Sequence, residues 1–180
     1  CLIGAVGVAP GCFDKEVIEQ MVDVNHDAPI VFALSNPQTQ AEVTAHDCYN
    51  WSCGRAIYGS GTQFESVEIN GKTYTPGQVN NVYIFPGLSL GVCRCAARNI
   101  PDRLFLVAAE AVAKSLDDED IAVHRVLPHR NRLREVSLNV ATAVAMEAQR
   151  LGIASVTLGD TEAQIKEALL KTLWTPEARG

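Results

Sequence analysis

No stretch of this sequence runs long enough in apolar residues to cross a bilayer. The longest apolar stretches, around residues 1–10 and 82–92, are interrupted by glycine and proline. They fall short of the roughly 18 to 20 residues that a span requires, so no membrane role is expected. Positive charge is not in excess either: 15 Lys and Arg against 21 Asp and Glu give a formal net charge of -6 and a pI near 5.2. Phosphate binding needs a concentrated basic field, so no nucleic-acid partner is expected. The only basic cluster lies at residues 124–134. Six cysteines, at positions 1, 12, 48, 53, 93 and 95, follow no disulfide-scaffold rhythm, and no signal-peptide pattern is visible. A reducing compartment is the expectation. The fingerprint GxGxxG is missing, because Gly4, Gly7 and Gly11 lack that spacing, and no Ser-His-Asp set suggests itself. Cys93 and Cys95 fall on a predicted helix, where residues two apart point to different faces, which argues against a metal pair.

What is present suffices for a core: 47% of the 180 residues are hydrophobic. Residues 1–8, CLIGAVGV, read as a strand that a Pro-Gly pair ends; Asp14 then stands as the N-cap of a helix in which Val17, Met21 and Val24 recur at helical spacing. PIVFALSNP is a second strand stopped by a turn signature, residues 40–50 a second helix, and GRAIYGSG a third strand. Strand, helix, strand, helix with short connections predicts an α/β fold with a parallel sheet, the doubly wound class. Asn70-Gly71 predicts a hairpin. The remainder reads as helical, with Pro101 in a first turn, the acidic run 117–120 opening a helix, Gly152 as a C-cap, and a terminal helix over 161–174. Residue 1 is Cys and already lies in a strand-like run, and three strands make a thin sheet. The expectation is that the chain starts in mid-fold.

In open α/β sheets, ligands bind beyond the carboxyl ends of the strands. Those ends are residues 7–11, Ser35-Asn36-Pro37 and Gly59-Ser60-Gly61, and the doublet Asn80-Asn81 is expected at the same rim. A side-chain amide offers donors and an acceptor in one plane and does not titrate, so it suits hydroxyl, carboxylate and carboxamide groups. The structural alternatives are an Asx turn at Asn36 and a helix cap at Asn80.

FALSNP at 32–37, GR-x-x-x-x-SG at 54–61, PGQ-x-NN-x-Y-x-FPG at 76–87 and RLREVS at 132–137, in this order after the LIG turn, resemble the C-terminal portion of malic enzymes. The resemblance implies a partial doubly wound, Rossmann-like sheet with a C-terminal helical region. Residues 1–100 would be the last part of an NAD(P)-binding domain including the hairpin, and 101–180 a helical region packed on it. It further implies oxidative decarboxylation of malate to pyruvate and CO2 with NAD or NADP and Mn²⁺ or Mg²⁺, in a homo-oligomer of the cytoplasm or mitochondrion. By resemblance Asn36 and Asn80 contact the substrate, while Asn36, Asn81, Gly7 and Ser35 contact the cofactor. The family's catalytic tyrosine and lysine, metal-binding carboxylates and glycine fingerprint do not map onto this chain, which is therefore expected to be inactive alone. Two departures stand out: Val79 occupies a position that is usually glycine, and the first turn is about one residue longer. The nearest rivals are a malolactic enzyme, which turns malate into lactate, and a non-catalytic nucleotide-binding module.

Overall fold

The computed structural model describes residues 1–173, so Trp174 of the expected terminal helix lies outside the described residues. The chain divides into two compact units, one made of Cys1–Asn80 with Leu116–His129, the other of Asn81–Ser115 with the chain from Arg130 on.

The first unit carries the sheet. Strands β1 (Leu2–Gly4), β2 (Ile30–Ala33) and β3 (Ile57–Ser60) are parallel, and helices α1 (Lys15–Asp23) and α2 (Ala45–Trp51) form the crossovers. Asp14 caps α1 by accepting from the Val17 amide at 3.0 Å, as the sequence predicts. Strand β1 is shorter than the expected run 1–8, because the carboxylate of Glu42 and the hydroxyl of Ser35 take the amides of Val6 and Gly7. Helix α2 likewise begins at Ala45 rather than residue 40. Residues 41 and 42 instead offer their carbonyls to the Gly11 and Phe13 amides, and Thr44 becomes the N-cap. The Asn70-Gly71 hairpin forms as predicted between β4 (Val67–Ile69) and β5 (Lys72–Tyr74), with φ of 51° and 75° at its two central residues.

A fourth parallel strand was not expected. β6 (Gly77–Gln78) extends the sheet in the order β1-β2-β3-β6. Its two residues have no strand pattern of their own; Gly77 is required because a Cβ there would stand 2.6 Å from Val126 Cγ2. The core of this unit gathers Ile18, Val31, Ala33, Cys48, Tyr49 and Tyr58, with Tyr49 edge-on to Tyr58 at 5.7 Å. In β2, Val31 and Ala33 are buried while Ile30 is exposed, so this unit covers one face of the strand better than the other. The short α5 (Asp118–Ala122) opens on a reciprocal capping box between Asp117 and Asp120, which fulfils the reading of the acidic run.

The second unit is helical: α3 (Phe85–Arg94), α4 (Asp102–Ala113), α6 (Leu133–Arg150) and α7 (Glu162–Leu170). Pro101 is the N-cap of α4 rather than a first-turn residue. Gly152, at φ 66°, follows the Leu151 C-cap of α6. Helix α6 is the hub, packing against α3, α4 and α7. Gly87 and Gly91 let the α3 backbone approach it, since a Cβ on Gly87 would meet the Ser137 carbonyl at 2.5 Å.

Candidate functional site

The strand register places every candidate in the sheet-bearing unit along one line. Gly4 pairs with Ala33, Ala33 with Ser60, and Ser60 with Gln78, so all four strands reach their carboxyl ends in a single row. Gly7 lies three residues beyond that row, Ser35 two, Asn36 three, Gly61 one beyond Ser60, and Asn80 two beyond Gln78. The row is extended by bonds from the Leu34 amide to the Gly4 carbonyl (2.8 Å), Gly61 to Ala33 (3.0 Å) and Val79 to Ser60 (2.7 Å). Asn81, the chain neighbour of Asn80, opens the 3₁₀ turn Asn81–Tyr83 of the helical unit.

Asn36, Asn80 and Asn81 are all exposed, as is Gly7, whereas Ser35 is buried. As exposed residues, the three asparagines escape the penalty of a fully buried, unpaired amide. Asn36 is nonetheless held in place: its Nδ2 donates to the Leu34 carbonyl at 3.3 Å, and a Cβ on Gly61 would come within 2.8 Å of that same nitrogen and 2.2 Å of the Leu34 oxygen. The glycine of the third-strand turn is thus a seat for the Asn36 amide. The peptide bond from Asn36 to Pro37 is cis.

Glu42 organises the other half of the row. Its side chain, 0% exposed, accepts from the Val6 amide at 2.9 Å and the Ser35 amide at 3.3 Å, and the Ser35 hydroxyl donates to it in a short contact. The Gly7 amide in turn donates to Ser35 Oγ at 2.8 Å. Burial pushes the Glu42 carboxyl up, but the bonds from Ser35 and Val6 outweigh it and hold it below the usual value. Sequence reasoning missed Glu42, because a glutamate within AEVTAHD reads as the exposed face of a helix.

This arrangement limits what can sit there. The Val6, Gly7 and Ser35 amides, which could otherwise receive a phosphate, are engaged inside the protein. What is presented instead is the Asn36 amide and the bare Cα surface of Gly7, which has φ 70° and no atom within 4 Å of its would-be Cβ. That suits a flat, neutral group such as a carboxamide. The residues fit the nicotinamide half of a dinucleotide better than its pyrophosphate. Among the described residues, no group of three or more His, Cys, Asp or Glu could hold a metal ion, so the described residues do not fit one.

A family model described as malic enzyme, NAD binding domain, matches residues 1–149. The chain belongs to the malic enzyme family. It is 47% identical over 154 residues to NADP-dependent malic enzyme 2 of Arabidopsis thaliana, a match covering 86% of this chain and 26% of that protein. It is 43% identical over 155 residues to the mitochondrial NAD-dependent malic enzyme of Ascaris suum, covering 86% of this chain and 24% of the relative. The chain thus spans about a quarter of the length of the curated malic enzymes it matches. The crystal structure of malic enzyme from Pyrococcus horikoshii Ot3 superposes with a TM-score of 0.70 at 25% identity, over 94% of this chain and 34% of that one. The fold is therefore the Rossmann-like α/β arrangement that the resemblance implies, with a nicotinamide dinucleotide as the family's cofactor. No helix among the described residues is long and apolar enough to cross a membrane.

Proposed function

We propose that the protein containing this chain oxidatively decarboxylates malate to pyruvate and CO2 with reduction of NAD or NADP, and that this chain supplies neutral amides that orient the reactants. The observation that carries the reading is the single carboxyl-edge row, which sets Asn36 on its Gly61 seat in a chain whose family is that of malic enzymes. Asn36 and Asn80 are assigned to the dicarboxylate, their N–H groups donating to carboxylate oxygens without titrating themselves. Asn36, Asn81, Gly7 and Ser35 are assigned to the cofactor side. Gly7 contributes close backbone approach, while Ser35, whose hydroxyl is committed to Glu42, contributes through its turn rather than as a free donor. A bound nicotinamide would supply the hydride acceptor for C2 of malate. No residue of this chain is assigned as acid, base or ligand of the Mn²⁺ or Mg²⁺ expected for the reaction. Homo-oligomeric assembly and a cytoplasmic or mitochondrial setting belong to the same proposal.

The test supplies the protein containing this chain with malate and Mn²⁺, first with NAD and then with NADP, while reduced nucleotide, pyruvate and lactate are followed. Reduced nucleotide with pyruvate supports the reading and selects the cofactor; lactate without net reduction makes the protein malolactic; no product of either kind leaves a nucleotide-binding module. In the active protein, Asn80→Ala and Asn36→Ala should each lower kcat/KM for malate at least tenfold, about 1.4 kcal/mol, with little change in melting temperature. A lower melting temperature with normal turnover would assign them to turns and caps instead.

A further inference from the structure

We propose that Glu42 is a positioning residue whose carboxylate clasps the turns after β1 and β2 together and thereby fixes Asn36. The inference deepens the reading above and rests on it for its catalytic consequence.

Three donors converge on the buried carboxylate, two from Ser35 and one from Val6, so one side chain ties a turn near residue 6 to another near residue 35. A carboxylate only accepts, which fixes the direction of the relay: Gly7 N–H donates to Ser35 Oγ, and the Ser35 hydroxyl donates to Glu42. The clasp is also anchored from behind. The Glu42 carbonyl accepts from the Phe13 amide at 2.9 Å, and the Glu42 side chain runs under Gly4, where a Cβ would stand 2.6 Å from both Glu42 Cγ and Phe13 Cζ. No cation among the described residues pairs with Glu42, so its charge is stabilised by these donors. Burying a carboxylate is costly, and an apolar side chain of similar size would fill the same space without that cost. What an apolar side chain cannot do is hold two turns in register. Asn36 follows Ser35 directly, and its amide is seated on Gly61, so a shift of the Ser35 turn moves the amide relative to its seat.

The test uses Glu42→Ala, Glu42→Gln and Ser35→Ala in the protein containing this chain, read by residue-level hydrogen exchange and by steady-state kinetics. Glu42→Ala should speed exchange of the Val6, Gly7 and Ser35 amides by at least about tenfold, leaving α4 and α6 at their wild-type rates. It should also lower kcat/KM for malate at least about tenfold. Glu42→Gln should fall between wild type and Glu42→Ala on both readouts, because its amide oxygen can still accept from the Val6 amide and the Ser35 hydroxyl while its NH2 faces the Ser35 amide donor to donor. Ser35→Ala should free the Gly7 amide while leaving Val6 protected. Unchanged exchange at the three amides of Glu42→Ala would overturn the clasp. Faster exchange spread evenly over the chain, with kcat/KM restored at low temperature, would also overturn it by reducing Glu42 to a stability residue. With a wild-type protein that turns over no malate, the catalytic reading fails, and the exchange rates alone then support or refute the clasp.

Discussion

In the sheet-bearing unit, a close approach of two chain segments lies at a strand end, where Gly61 leaves room for the Leu34 carbonyl and the Asn36 amide. In the helical unit, close approach runs along a helix pair, where Gly87 and Gly91 of α3 face Ser137, Val140, Ala141 and Val144 of α6. Both units use the missing Cβ, but to different ends. Along α3 and α6 it allows two helices to pack over their length, so the gain is spread across an interface. At the carboxyl edge it shapes one small seat, and the surrounding turns are fixed by directional hydrogen bonds to a single carboxylate. Polar side chains follow the same division. Glu147 of α6 is satisfied by Arg103 and Arg150, whose side chains are 44% and 65% exposed, so its charge is balanced by ions that reach water. Glu42 is satisfied by amides and a hydroxyl.

The strongest test of this contrast is Gly87→Val. Its first side-chain atom would meet backbone at 2.5 Å and Val140 Cβ at 2.6 Å, neither of which can turn aside. A loss of about 3 kcal/mol or more is expected in chemical denaturation, with faster exchange in α3 and α6. Gly61→Ala should cost less, about 2 kcal/mol, because only one turn has to yield. It should lower kcat/KM for malate by more than its stability loss accounts for, since the displaced group includes the Asn36 amide. Equal effects of both substitutions on turnover would erase the distinction between packing glycines and seating glycines.

The smallest effect is expected at Glu147→Gln, about 1 kcal/mol, because both arginines can return to solvent. Its pH dependence is the sharper readout. The bonds from Arg150 and Arg103 hold the Glu147 carboxyl down to about 2, against an ordinary 4.5. A folded value below the unfolded one means that the stabilisation is complete above about pH 4.5 and disappears as pH falls toward 2. The wild type should therefore lose stability over that interval more steeply than Glu147→Gln, as measured by urea melts at pH 7, 4 and 2.5.

Much of the fold was legible because local chemistry decided it. Asp14 had to cap because an aspartate before an amphipathic run leaves few other uses for its carboxylate, and Asn70-Gly71 had to turn because both residues accept positive φ. The elements that escaped are those decided from a distance. β6 exists because the backbone of residues 77–78 lies along β3, and two residues hold no periodicity to read. Residues 40–44 have helical composition, yet their backbone and Glu42 are recruited by the turns at 6–13, a tertiary demand that overrides propensity. At the site, exposed asparagines beside Pro and Gly announce themselves, while the residue that holds their neighbourhood together looks like any surface glutamate until its burial is known.

Arg55, the second residue of the GR motif, donates to the carbonyls of Asn25 at 2.8 Å and Asp27 at 3.1 Å, with longer approaches to Val22 and His26. A planar fork can serve several carbonyls at once, and the compact ammonium of a lysine cannot. A positive charge in such a fold invites the reading that it greets a phosphate, but Arg55 precedes β3, at the amino ends of the strands and away from the carboxyl-edge row, and is committed to the protein's own main chain. Its service is to the architecture of the approach to β2, so arginine at this position reports how the chain is folded and carries no information on a choice between NAD and NADP.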